Sequence, residues 1–212
     1  MSNTPGSSAE SASPADWREA RRRQARDAIV AAAWSLVHDE GLAAMSLREL
    51  AKRAGITTPT VYAYFESKNA IYDAMFGQAA TEFADRMTQP YHREDPRAVL
   101  AEGVRRFHEF CASDVARYQL LFQRTIPGFE PTPESCAPAV RALHAVHERL
   151  ALNGVTDARH VDIWTALTTG LVDQQISNDP GGDRWTRLID DVVTMFLGYC
   201  EPNPAPAKQA KR

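Results

Sequence analysis

Cysteine is scarce in this chain. Cys111, Cys136 and Cys200 are the only three among 212 residues, and they form no CxxC pair. An odd, unpaired set fits a reducing interior better than a disulfide scaffold. Long apolar runs are missing as well. Nothing approaches the roughly 20 residues that a membrane-spanning helix needs. The Ser/Ala/Pro-rich start carries no basic-then-apolar leader, so a cytoplasmic location is expected. Alternating Val/Ile/Thr stretches bounded by turn residues are absent, which argues against a sheet. No internal repeat is visible, which argues against a solenoid. Nor is there an excess of one charge: 24 Lys/Arg stand against 27 Asp/Glu, a formal charge of -3. Finally, no nucleophile–base pair, paired carboxylates or phosphate loop stands out, so neither catalysis nor a cofactor is expected.

What is present reads almost entirely as helix. The length suffices for one large helical unit or two smaller domains with a real core. Charge is unevenly placed: residues 17–68 hold nine Lys/Arg against six Asp/Glu, and the segments on either side are net acidic. A mildly basic front on an acidic body suits a protein that meets an anion with one end. "MSNTPGSSAESASPAD" (residues 1–16) and the C-terminal residues 201–212 lack apolar periodicity and are expected to be disordered tails.

The first helix is expected over 17–40, with Ile29, Ala33, Leu36 and Val37 as its apolar stripe and Gly41 as its stop. Its early turns carry Arg18, Arg21, Arg22, Arg23 and Arg26, which suit either a solvated face or an arm gripping a phosphate backbone. "SLRE" then opens a second helix, with Ser46 and Glu49 placed as a capping box. Leu47, Leu50, Ala51 and Ala54 face inward, and Arg48, Lys52 and Arg53 outward. After Gly55, either Thr57 or Thr58 caps a third helix whose first turn accommodates Pro59. Val61 and Phe65 point to the core; Thr60, Ala63 and Tyr64 lie outside, with Tyr62 at the edge. A fourth helix follows Ser67, carrying Ile71, Met75, Ala79 and Phe83 on one stripe.

Two helices joined by a tight turn, the second showing hydroxyls and phenols outward, form a helix-turn-helix pattern. Such groups hydrogen-bond phosphate oxygens or base edges, while a methyl or proline ring touches a thymine methyl. The stretch from Ile29 to about Met75, "SLRELAKRAGITTPTVYAYFESKNAIYDAMF" above all, resembles the N-terminal domain of the tetracycline-repressor (TetR) family of bacterial regulators. The resemblance implies that the helix holding Thr58 to Phe65 enters the major groove. It implies that Arg48, Thr58, Pro59 and Thr60 approach base edges, and that Tyr62, Tyr64 and Lys68 bind phosphates. That family often has glycine or serine where Pro59 stands, and histidine where Tyr64 stands. These departures bear on the target sequence.

Beyond residue 96 the periodicity stays helical. One helix holds Val99, Val104, Phe107, Phe110 and Cys111, and a short one after Ser113 holds Tyr118, Leu121 and Phe122. "RTIPGFEPTPESCAP" reads as a Pro-rich loop, followed by helices near 138–152, 157–177 and 183–199. The fold class is thus all-α. Residues 17–66 are expected to form the DNA-binding domain, and residues 67–200 a bundle for effector binding and dimerisation. Ala166 and Gly170 permit close helix approach. The last helix has a broad apolar face, so a homodimer through a four-helix interface is expected, against the alternative that both faces close one bundle. Phe107, Phe110, Tyr118, Phe122, His144 and Trp164, with Phe83 and Met87, are candidates to line an apolar effector cavity. Asp173, Gln174 and Gln175 interrupt an apolar helix and need partners: a bound ligand, or other helices. His108 with Cys111 and His144 with His147 have ligand-like spacing, but pairs alone do not make a metal site.

Together these features lead to a ligand-responsive regulator, a repressor binding a near-palindromic operator as a dimer and released by a small hydrophobic or aromatic effector. An activator without an effector, and a helical enzyme using the aromatic pocket, are the alternatives.

Overall fold

A computed structural model describes residues 14–201. The expected tails therefore lie largely outside the described residues. Among the described residues there are nine α-helices and no strand, as the all-α expectation required. No helix among them is long and apolar enough to cross a membrane.

The chain packs as two compact units, one ending at Met75 and the other beginning at Phe76, rather than dividing at 66/67. In the first unit α1 (Pro14–Glu40) packs on α2 (Leu47–Arg53) and α3 (Thr58–Tyr64). Helix α1 begins three residues before Trp17, so residues 14–16, assigned above to the tail, are helical. Gly41 ends it at φ 85, a left-handed conformation that side chains other than glycine resist. The core is drawn from every helix: Ile29, Leu36 and Val37 of α1, Leu50 of α2, Val61 of α3, and Ile71 and Met75 of α4 (Lys68–Thr88) are all buried. Trp34 and Met45, absent from the expected stripe, are buried with them. The Tyr72 hydroxyl, buried in the same core, donates to the Leu42 carbonyl at 2.7 Å.

The second unit continues with α5 (Pro96–Ser113), α6 (Val115–Phe122), α7 (Pro133–Leu152), α8 (Ala158–Asn178) and α9 (Ile189–Cys200). Two apolar clusters hold it. Leu100, Val104, Leu150, Trp164, Ile189 and Phe196 form one, and Phe83, Met87, Phe110, Tyr118, Ala142 and Val172 the other.

Two boundaries differ from expectation. Helix α7 starts at Pro133, not near Pro138, because Thr132 caps it: the Ser135 amide donates to the Thr132 hydroxyl at 3.3 Å. Pro138 lies inside the helix near its start, where the missing amide costs a single hydrogen bond. Helix α9 starts at Ile189, after a 3-10 turn (Thr186–Leu188), not near 183. Side chains from upstream take the amides that a helix would have ordered. The Trp185 amide donates to Gln175 Oε1 at 3.0 Å and the Arg184 amide to Asp179 Oδ2 at 2.9 Å.

Candidate nucleic-acid interface and effector cavity

The turn between α2 and α3 is built from local signals. The Ser46 hydroxyl accepts the Glu49 amide at 3.2 Å and so caps α2. The Glu49 carboxylate points not back to the cap but toward Lys52, 3.6 Å away. Gly55 adopts φ 68, and the Ile56 amide returns to the Ala51 carbonyl at 3.0 Å. Thr57, not Thr58, is the cap of α3: its hydroxyl accepts the Thr60 amide at 3.3 Å. Pro59 occupies the first turn, where it removes no needed donor.

Only Val61 of α3 is buried, with Phe65 following at its C-terminal cap. One face of this helix therefore holds the core and the other stays available. Pro59, Ala63 and Arg48 are exposed, while Thr58, Thr60, Tyr64 and Lys68 are half-buried. Tyr62 is 53% exposed and so lies outside rather than at the edge. Tyr64 is the more enclosed phenol, set in a groove with Arg18, Arg21, Arg22, Ala28 and Ala63. The Thr60 hydroxyl is turned toward that of Thr57, 2.8 Å away. Lys68 opens α4 with its ammonium 5.4 Å from the centre of the Tyr72 ring. Arg26 fixes the end of α3, donating to the Tyr64 carbonyl and lying 4.1 Å from the centre of the Phe65 ring. Arg21 and Arg22 are exposed and make no ion pair among the described residues. A short exposed helix is thus flanked by arginines on one side and a lysine on the other, an arrangement suited to a polyanion.

In the second unit, a cavity of about 310 Å³ has walls that are almost wholly apolar. Phe107, Phe122 and Trp164 line it, as do Phe83 and Met87. Phe110 and Tyr118 are buried in the adjoining cluster, where the Phe83 and Phe110 rings meet at a tilt of 53° with centroids 5.1 Å apart. Neither is among the residues lining the cavity. His144 is exposed and does not line it either: Ala142, Val146 and Arg149 set the inner face of α7, and His144 falls on the opposite side. Gln174 is exposed too, with its carbonyl accepting the Asn178 amide at 2.8 Å.

Its polar neighbours have helix partners. Tyr118 donates to Asp173 Oδ1 at 2.6 Å and Gln123 donates to the same oxygen at 3.0 Å. Burial and that carboxylate together push the Tyr118 phenol well above its usual range. Gln175 is buried and serves the turn before α9. Missed in the sequence were Thr165, Thr168 and Thr169 on one wall and Arg149 on another. Thr168 stands four residues after Trp164, on the same helical stripe, a signal that was there to be used. No cluster of three or more His, Cys, Asp or Glu suited to a metal ion occurs among the described residues.

Residues 29–75 match the family model described as "Bacterial regulatory proteins, tetR family". The HTH-type transcriptional regulator Rv1816 of Mycobacterium tuberculosis (strain H37Rv) is 28% identical over 191 residues, covering 79% of this chain and 76% of that protein. The tetracycline repressor protein class C of Escherichia coli is 36% identical over 75 residues, 35% of this chain and 34% of that one. Among solved structures, a tetR-family transcriptional regulator from Streptomyces coelicolor superposes with a TM-score of 0.65 at 22% identity, covering 84% of this chain and 82% of the other. FadR of Bacillus subtilis, solved with stearoyl-CoA, gives 0.58 at 17% identity, covering 80% of this chain and 96% of that one. The relatives are regulators rather than enzymes, and the residues matched by the family model include the α2–turn–α3 segment. Residues 29–75 thus match the DNA-binding segment of the tetR family of bacterial regulatory proteins, and over 79% of its length the chain is similar to an HTH-type transcriptional regulator.

Proposed function

We propose that this protein is a repressor that binds a near-palindromic operator as a homodimer and is released by a small apolar effector. The observation that carries the DNA-reading half is the outer face of α3, where Tyr62 is 53% exposed while Val61 alone is buried. Arg48, Thr58, Pro59 and Thr60 read base edges; Tyr62, Tyr64 and Lys68 hold phosphates. Arg18, Arg21 and Arg22 beside Tyr64 extend the backbone contact, which favours an arm over a merely solvated face.

Dimerisation is supported by the outer surface of α8 and α9. Met195 is 59% and Tyr199 52% exposed on α9, and a Cβ added at Gly170 or Gly198 would meet nothing within 4 Å. Apolar side chains beside bare backbone suit helix-on-helix contact with a second copy. Effector release is supported by the apolar cavity, whose wall includes Phe83, Met87, Phe107 and Trp164. A coupling of about 1–3 kcal/mol between cavity and DNA is enough for a useful switch. The test is a gel-shift assay with operator DNA, repeated with Tyr62→Ala and Lys68→Ala. Both variants are expected to lose affinity, and unchanged binding in both contradicts the reading.

A further inference from the structure

We infer that Arg26 is a positioning residue for DNA reading: it sets the angle of α3 from α1 and itself holds no phosphate. This rests on the reading of α3 proposed above and adds the residue that keeps that helix in place.

Helix α3 has seven residues, too few to be stable by itself. Its amino-terminal end is fixed by the Thr57 cap. Within the helix only Val61 is buried, and a single apolar anchor leaves the far end free to tilt. Arg26 closes that end. Its Nη1 donates to the Tyr64 carbonyl, and its guanidinium carbon lies 4.1 Å from the centre of the Phe65 ring, which is itself buried. The last carbonyls of a helix lack amide partners and carry its negative pole, so a cationic donor suits them; the ring face adds a second hold. No other side chain of α1 hydrogen-bonds to α3 among the described residues. Beside this link a groove runs between the two helices, with Ala25 and Ala28 on the α1 side and Ala63 and Tyr64 on the other. Packing across it gives little that replaces the link.

The other arginines of α1 are placed differently. Arg21 and Arg22 are exposed, and Arg23 faces Glu19 at 3.8 Å. Arg26 is half-buried, and Ile29, three residues on, already lies in the core. Helix α2 has a tie of its own: Arg53 donates to the Ser35 carbonyl and to the Ser35 hydroxyl, each at 3.0 Å. Each short helix of the reading motif is thus joined to α1 by one arginine. Base-edge contacts demand placement within about half an ångström, whereas a cation finds a phosphate from many poses. Loss of the Arg26 link should therefore spoil sequence reading and spare attraction to the backbone.

The test compares two duplexes: the best sequence that the wild-type full chain selects from a random pool, and a scrambled duplex of equal length and composition. Arg26→Met keeps the stem but loses the donors and the charge. It is expected to lower affinity for the selected sequence about tenfold or more and for the scrambled duplex about twofold or less, with the salt slope kept. Arg26→Lys keeps the charge, yet one ammonium does not both reach the carbonyl and cover the ring. Its ratio of the two affinities should fall about threefold or more. Circular dichroism establishes that each variant is folded, and Arg26→Lys decides alone if Arg26→Met is not. Equal loss on both duplexes, with a slope lowered by about 1, would make Arg26 a phosphate contact and overturn the assignment. A wild-type affinity ratio in the folded variants overturns it too, and leaves the reading of α3 intact. A wild type that prefers no sequence overturns both.

Discussion

In the proposed interface Tyr62 and Lys68 would make different kinds of phosphate contact and should fail differently when removed. A lysine on a phosphate displaces a counterion; a phenol does not. Lys68→Ala is therefore expected to weaken binding to all sequences and to lower the slope of log affinity against log salt by about 1. Tyr62→Ala should weaken binding to all sequences with the slope preserved. Anisotropy titrations at several salt concentrations separate the two, and identical slopes in both variants contradict the assignment. Replacing Thr60 should change which sequence is preferred rather than overall affinity. His108 offers a test of the second unit. It is buried, its ring lies 3.1 Å from the Thr186 hydroxyl, and burial lowers its pKa. A depressed folded pKa means that the unfolded state takes up the proton first, so this stability is present above about pH 6.5 and is lost as pH falls through the lower, folded value. Thermal melts from pH 7.5 to 5 should show the wild type losing more stability than His108→Gln. Equal losses would show that His108 does not contribute.

Among the elements, α2 and α3 were readable because their determinants are local. Ser46, Gly55, Thr57 and Pro59 act within a few residues of themselves, and each does what its chemistry suggests. Thr57→Ala is accordingly expected to cost about 1 kcal/mol in chemical denaturation. A null effect would mean that the cap is idle. The start of α7 carried the same grammar, Thr132 before Pro133, and the later Pro138 masked it. The start of α9 was not readable, because Gln175, ten residues before Trp185, supplies the acceptor. Gln175→Leu removes that acceptor from two amides and is expected to cost roughly 1–3 kcal/mol. Arg149 escaped notice for a related reason: arginine is ordinarily a surface residue, and only the tertiary fold encloses this one. His144 and Gln174 lie outside the cavity lining, since residue type alone does not say which face of α7 or α8 turns inward.

For the whole molecule, the proposed dimer ties function to geometry. Sedimentation at micromolar concentration is expected to show twice the 23.5 kDa chain mass. A purely monomeric species would contradict the paired reading heads. Two copies of α3 must then meet successive major grooves, about 34–36 Å apart along the duplex. Selection of bound fragments from a random DNA pool by the purified chain tests most directly whether α3 reads duplex DNA. It should enrich two inverted half-sites one helical turn apart, with Tyr62→Ala and Lys68→Ala each reducing recovery. A pool that emerges without sequence preference, or identical recovery by both variants, would contradict it.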